Sequence, residues 1–223
     1  MREQTIPATA GVLHVDGRTN GGISVKGWDR HEVLVRSQVR TAAPNKAEAD
    51  QLASQITIQT NGAEVRSEGP TMDNDHNWSV SYEIFVPQQT NLSLKTHNGG
   101  IRIADVSGNI DFKALNGGVS LARLSGDVRG GTTNGGLSID LAGTHWEGRG
   151  LDVQTTNGGV HMNVPHDYSA HLETGTVNGS LNIEFPVTVQ GKISRQLSMD
   201  LGSGGATVRA TTTNGGVKIS RKS

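Results

Sequence analysis

The chain has 223 residues and a nearly balanced charge, 20 Lys and Arg against 21 Asp and Glu, which excludes a nucleic-acid binder working by bulk positive charge and a polyanionic tail protein. It has no cysteine, so a disulfide framework, a thiolate metal site and a Cys nucleophile are excluded, and no apolar run approaches the roughly 18 residues of a membrane-spanning helix. Glycine is about twice its ordinary share at 30 residues, while aromatics make up only 4%.

The chain opens Met1-Arg2-Glu3-Gln4-Thr5-Ile6-Pro7 with no apolar stretch of signal-peptide type behind the charged start. This fits a cytosolic protein, or a mature exported chain whose leader was removed and a start methionine added. Leu13 and Val15 precede Asn20-Gly21-Gly22, and Ile23 and Val25 come after it. Residues 31–40 read as a longer strand. Asn45 with Glu48 forms a capping-box pattern, followed by the apolar stripe Ala49, Leu52, Ala53 and Ile56, which predicts a short helix near 45–57. Ser67 to Asn77 is polar and reads as a mobile loop. Trp78, Val80, Tyr82, Ile84 and Val86 then alternate cleanly, and Pro87 ends that strand.

A repeat dominates the remainder of the chain. Asn-Gly-Gly recurs at Asn98, Asn116, Asn134, Asn157 and Asn214, with Asn178-Gly179-Ser180 as a variant, and the asparagine spacings are 18, 18, 23, 21 and 36. The flanks repeat too. Aliphatics lie three and five residues after each Asn, as in Ile101/Ile103, Val119/Leu121 and Leu137/Ile139. Six and four before it lie pairs such as Leu92/Leu94 and Ile110/Phe112, and the residue two before is always small, Thr or Ala114. Period-2 alternation gives short strands with one buried face, and Asn-Gly supplies the backbone freedom to turn between them. The last spacing is twice 18, so one coil is expected to pass with a degenerate turn at Gly202-Ser203-Gly204-Gly205.

Asn-Gly between alternating strands also suits an antiparallel hairpin. A hairpin stack gives no reason for similar turns every 18 residues in one phase, whereas a β-solenoid places each turn above the last. Four or five small aliphatics per coil supply on the order of 5–12 kcal/mol. Ordering 18 backbones costs roughly 18–36 kcal/mol, so a coil must share its interior with neighbours. The expected fold is therefore all-β, a parallel solenoid at 91–223, right-handed by the crossover rule, behind an N-terminal β-rich cap at 1–90 that contains the helix. Asn98, Asn116, Asn134, Asn157, Asn178 and Asn214 are expected to stack as a structural ladder of amides, the alternative being a row of ligands for sugar or ion.

The longer intervals carry loops around 144–149 and 165–168. Trp146, Glu147 and Arg149 form a candidate ligand loop able to stack on and hydrogen-bond a sugar, although the indole can equally pack on a neighbouring coil. Aligning coils puts Asp105 against Arg123, Asp111 near Arg129, and Asp127 beside Asn109, so charge pairs emerge and no catalytic carboxylate dyad. His161, His166 and His171 are evenly spaced but alternate faces across Pro165, and Asp73 with Asp75 is a weak calcium pattern. No catalytic, cofactor or metal site is expected.

The segments Gly22-Ile23-Ser24-Val25-Lys26-Gly27-Trp28-Asp29 and Val80-Ser81-Tyr82-Glu83-Ile84-Phe85-Val86-Pro87, with the repeats from Leu92 through Ile219, resemble a bacterial putative-adhesin family of unknown function built as a Gly-rich β-solenoid. The resemblance implies an extracytoplasmic protein, periplasmic, cell-surface or secreted, without established catalysis, and it transfers no catalytic residue. The resulting expectation is a non-enzymatic, adhesin-like interaction module. Its outward row Arg102, Ser120, Ser138, His161, Asn182 and Lys218 would contact a protein or glycan, with no nucleic acid and no membrane insertion. A carbohydrate-active lyase or hydrolase and a structural or regulatory envelope scaffold stand as alternatives. The last coil ends shortly after Ile219, so its open edge is expected to favour end-to-end association.

Overall fold

The computed structural model describes residues 1–8, 10–185 and 195–222. Its first part contains β1 (Arg2–Pro7), β2 (Val12–Asp16), β3 (Ile23–Trp28), β4 (Glu32–Ala42), helix α1 (Lys46–Gln55), β5 (Thr57–Asn61), β6 (Glu64–Glu68) and β7 (Asn77–Pro87). The repeats comprise β8 (Asn91–Asn98), β9 (Ile101–Ala104), β10 (Ser107–Asn116), β11 (Val119–Ala122), β12 (Ser125–Asn134), β13 (Leu137–Asp140), β14 (Gly150–Asn157) and β15 (Val160–Val164). The last elements are β16 (Ala170–Asn178), β17 (Leu181–Ile183), β18 (Gln196–Leu201), β19 (Thr207–Asn214) and β20 (Val217–Arg221).

Each coil gives one long strand to one sheet and one short strand to the other, so the solenoid is two parallel-rich sheets facing each other across a single core. The first sheet runs β1-β4-β7-β3-β9-β11-β13-β15-β20-β17 and the second β18-β16-β19-β14-β12-β10-β8-β2-β6-β5. Pairing is in register, so the aliphatics expected from the flanks stack in columns. Leu13, Leu92, Ile110, Val128, Leu151, Val208 and Leu172 form one column. All seven are buried. The Val128/Gly130 coil departs from the pattern for a packing reason. A Cβ on Gly130 would stand 2.2 Å from the Phe112 carbonyl oxygen and 2.8 Å from its ring, so glycine makes room for Phe112, its register partner in the adjacent column.

The first ninety residues extend both sheets at one end. β4 and β1 add antiparallel strands beyond β7, and the β5–β6 hairpin lies beyond β2. Within this segment, β2 and β3 pair with β8 and β9 as a full rung. Its shifted phase, with Leu13 and Val15 one residue farther from Asn20 than elsewhere, is absorbed at Gly17-Arg18. Arg18 takes φ 55°, and its N–H donates to Asp16 Oδ1 at 2.8 Å. The helix begins as expected: Glu48 N–H donates to Asn45 Oδ1 at 3.0 Å, and Leu52 and Ile56 face the core.

Among the described residues, which leave out 186–194, no passing coil stands between Asn178 and Asn214. The C-terminal rung β19–β20 is inserted between β14–β15 and β16–β17, and β18 runs antiparallel to β16 as the edge of its sheet. Gly202-Ser203-Gly204-Gly205 is a reversal that crosses the start of β16, with Ser203 N–H donating to Ser169 Oγ at 3.2 Å. A rung inserted out of chain order leaves the same spacing as a skipped one. Consequently Ile219 does not lie on an open edge, because β20 is paired on both sides.

The loop expected as mobile between β6 and β7 is tied at two points. Trp78 Nε1 donates to the Pro70 carbonyl at 2.8 Å. His76 lies 3.1 Å from Asp73 and 3.2 Å from Glu48 on the helix. Hydrogen bonds to Asp73 and then Glu48 raise the histidine above its ordinary value, while backbone N–H donors of His76 and Asp75 lower Asp73. A raised folded-state pKa contributes stability that is complete below the unfolded value of about 6.5 and lost as pH rises through the folded value. Hydrogen exchange in residues 70–76, corrected for intrinsic rate, is therefore expected to quicken between about pH 6 and 8 in the native chain. The H76Q variant should show no such pH step.

Candidate functional site

The repeated corner is where sequence, packing and surface meet. In the observed stack, Asn98 Nδ2 donates to Asn20 Oδ1, Asn116 to Asn98, Asn134 to Asn116, Asn157 to Asn134, Asn214 to Asn157 and Asn178 to Asn214, all at 2.7–3.0 Å. Each amide inside the chain thus spends one donor and one lone pair on its neighbours and turns the rest to solvent. The threonines two residues earlier serve the same corner from inside. Thr96, Thr132, Thr155, Thr212 and Thr176 donate to the first-glycine carbonyls Gly21, Gly117, Gly135, Gly158 and Gly215 at 2.6–2.8 Å.

Ala114 occupies that position in its coil and brings no hydroxyl to the Gly99 carbonyl. The variant A114T should add the missing bond and stabilise the protein by about 1 kcal/mol, a rise of roughly 2–4 °C in Tm at this size. Thermal unfolding checks this, and an unchanged or lowered Tm counts against the assigned role of the threonines.

The two glycines of each corner differ. A Cβ on Gly99, Gly117, Gly135, Gly158 or Gly215 would stand 2.1–2.3 Å from a backbone carbonyl oxygen of the adjacent coil, so no side chain fits. At Gly22, Gly100, Gly118, Gly136, Gly159 and Gly216 the nearest atom would be 3.1–3.7 Å away, and the variant coil carries Ser180 at this place. The fold demands the first glycine far more strictly than the second.

Bare second glycines leave a depression on the outer face of the first sheet. It is a trough of about 740 Å³ with Gly22, Gly100, Gly118, Gly136 and Gly159 among its lining residues. It crosses the six adjacent strands β7, β3, β9, β11, β13 and β15, about 24 Å at the usual interstrand spacing. Along it stand Ser24, Ser81, Arg102, Ser120, Ser138 and His161. Ser24, Arg102, Ser120, Ser138, His161, Lys218 and Asn182 are successive register partners, which places the six outward positions read from sequence in one line. Lys218 is held by Glu184 at 2.8 Å, and its ammonium lowers the Glu184 pKa. No Asp or Glu lines the trough. Sequence reading treated its glycines only as turn formers, although Ser180 signalled that the second one is dispensable to the turn.

The other candidate loop is built differently. Trp146 is only 5% exposed, and its Nε1 donates to the Gly126 carbonyl at 3.0 Å, so the indole packs on the neighbouring coil. Gly126 N–H in turn donates to the Glu147 carbonyl at 2.6 Å. Arg149 stays exposed, 3.7 Å from Asp127. On the opposite corner Asp105 accepts two bonds from Arg123 at 2.5 and 2.7 Å, and this guanidinium lowers its pKa. Arg129 takes Asp127 on its own strand at 2.9 Å, while Asp111 is its register partner. His166 contacts Asp167, His171 contacts Asp200, and His161 lies in the trough. Among the described residues no group of three His, Asp or Glu is placed to hold a metal ion, and no helix is long and apolar enough to cross a membrane.

These features define a class: a two-sheet β-solenoid whose stacked corners support one continuous outward face. The chain belongs to the Toastrack DUF4097 family, whose profile matches residues 13–220. It is similar to a putative cell adhesion protein of Clostridium sporogenes, with 10% identity, 99% of each chain covered and a TM-score of 0.52, a likeness that shows the shared fold. It is also similar to a putative adhesin of Bacteroides fragilis, with 12% identity over 99% of this chain and 96% of that one and a TM-score of 0.48. No curated protein matches the sequence.

Proposed function

We propose that this protein is a non-enzymatic, adhesin-like interaction module of the cell surface or envelope, and that the trough receives an extended glycan. The observation that carries the reading is the row of second glycines, which keep the trough open and of which Gly22 and Gly118 have ordinary room for a side chain. The outward lining offers hydroxyls, one guanidinium and one imidazole, a set suited to sugar hydroxyls. Protein interfaces instead rely on aromatic and apolar anchors, and the apolar residues of this lining, Ile23, Tyr82, Ile101, Val119, Leu137 and Val160, have their side chains buried in the core. Glycoside hydrolysis needs a carboxylate pair, and the lining supplies none.

A glycan array probed with the purified chain, with and without calcium, tests the reading. Specific binding is expected, together with at least a tenfold loss in a variant carrying Arg102→Ala, Ser120→Ala and His161→Ala. Silence under both conditions would overturn the glycan assignment and direct the search to protein partners from envelope fractions. Binding retained in the triple variant would remove the trough from the account.

A further inference from the structure

A second concavity lies on the other sheet, at its N-terminal end. It is a cleft of about 660 Å³ bounded by β2 and the Gly17-to-Asn20 bulge, by outward side chains of β8 and β10, and by the tied loop between β6 and β7. That volume is within the range of small-molecule sites. Trp78, Met72 and Leu115 give it an apolar wall, and Ser67 and Thr71 add hydroxyls.

The cleft concentrates cations. Of those elsewhere, Arg36 is matched with Glu3 and Glu83, Arg66 with Glu68, Arg123 with Asp105 and Lys218 with Glu184, whereas Lys26, Arg40 and Arg102 stand apart from any ion pair among the described residues. Arg18, Lys95 and Lys113 line the cleft, and their side chains form no ion pair among the described residues. Lys95 and Lys113 are direct register partners on parallel strands, a placement in which like charges repel. One acid, Asp16, is present; it is the register partner of Lys95 on the far side from Lys113 and accepts the Arg18 backbone N–H. A near-neutral protein thus sets three cations against one carboxylate inside a concavity.

An independent observation comes from the interior. Tyr82 is 3% exposed, and its hydroxyl lies beside Ser67, with Asp16 and Arg18 nearby; these three residues line the cleft. Burial pushes the phenol up to about 12, which keeps it a donor at neutral pH.

We infer that this cleft binds a small anionic ligand, a carboxylate or phosphate carried on a hydroxylated ring. The cations meet the anion, the tyrosine and serine hydroxyls meet oxygen atoms of the ligand, and the Trp78 wall covers the ring. The trough lies on the outer face of the first sheet and the cleft lies mainly over the second, with β7 lining both, so variants at residues confined to one of them separate the two.

Titration of the full chain by calorimetry and tryptophan fluorescence with glucuronate, glucose 6-phosphate, inorganic phosphate and neutral glucose tests the inference. At least one acidic sugar is expected to saturate the protein at least about tenfold more tightly than glucose, and the two acidic arms tell carboxylate from phosphate. The K95Q/K113Q variant, altered at two exposed positions, should lose about tenfold or more in affinity with an unchanged Tm. Y82F, which deletes the hydroxyl beside Ser67, should weaken binding. The R102A/S120A/H161A variant should bind as the native chain does. Glucose binding as tightly as both acidic sugars, no saturation by either, or full affinity in K95Q/K113Q would overturn the inference. Inorganic phosphate binding as tightly as glucose 6-phosphate would overturn the part given to the ring.

Discussion

Replacing Gly117 by alanine is expected to cost about 3 kcal/mol or more, while the same change at Gly118, its immediate neighbour, leaves stability unchanged or raises it by up to about 1 kcal/mol. The added methyl at 117 would stand 2.1 Å from the Gly99 oxygen and 2.5 Å from its carbonyl carbon, and neither belongs to a side chain that can rotate away. Relief requires the two coils to part. That movement breaks the bond from Gly99 N–H to the Asn116 carbonyl and disturbs the amide stack on either side of Asn116. At 118 the nearest atom is 3.6 Å away, ordinary contact, and the alanine restricts the unfolded chain. Urea unfolding of the two variants decides it, and equal losses would contradict the packing of the corner.

The second large effect concerns the inserted rung. Removal of residues 207–223 is expected to unfold the C-terminal third of the fold rather than to trim one end of it. Val208, Val217 and Ile219 are almost fully buried, and their side chains alone account for roughly 5–9 kcal/mol of burial. The deletion also strips β16 and β17 of their parallel partners and exposes the far side of β14 and β15. β18 pairs only with β16 among the described strands and goes with it. The truncated chain should lose at least about 10 °C in Tm and show no exchange protection in 170–201, whereas a solenoid stacked in chain order would keep that rung protected.

Much of this fold is legible in the sequence because a solenoid writes its register into its spacing. The positions three and five after each asparagine, and six and four before it, became the core columns wherever the coils succeed one another in chain order. Legibility fails where two parts of the chain meet without a common period. Asn214 stacks between Asn157 and Asn178, and nothing in a 36-residue interval separates insertion from omission. The rung carrying Asn20 is one residue out of phase because Arg18 takes a left-handed conformation that no aliphatic pattern announces. Trp146 shows the same limit for a site: an indole in a glycine-bounded loop reads alike whether it faces solvent or packs over Gly126.

The two candidate sites differ in the same way. The trough arises from the repeat, since a face built of equivalent positions must be continuous. Its openness is written in the contrast between Gly179-Ser180 and the other Gly-Gly pairs. The cleft gathers residues 16–20, 67–80 and 95–115, three stretches with no shared motif. Its cations are scattered in a chain whose charges cancel, and only the fold shows that Lys95 and Lys113 are neighbours without an acid between them.

Filling the trough tests most directly the proposal that its open row of second glycines serves a ligand. The G118L variant places a side chain over the middle of the face, where a Cβ meets nothing closer than 3.6 Å. Binding to whichever glycan the native chain selects, measured beside Tm for both proteins, should fall at least about tenfold while Tm stays within about 2 °C. Glycan binding that survives the leucine at an unchanged Tm would contradict the account.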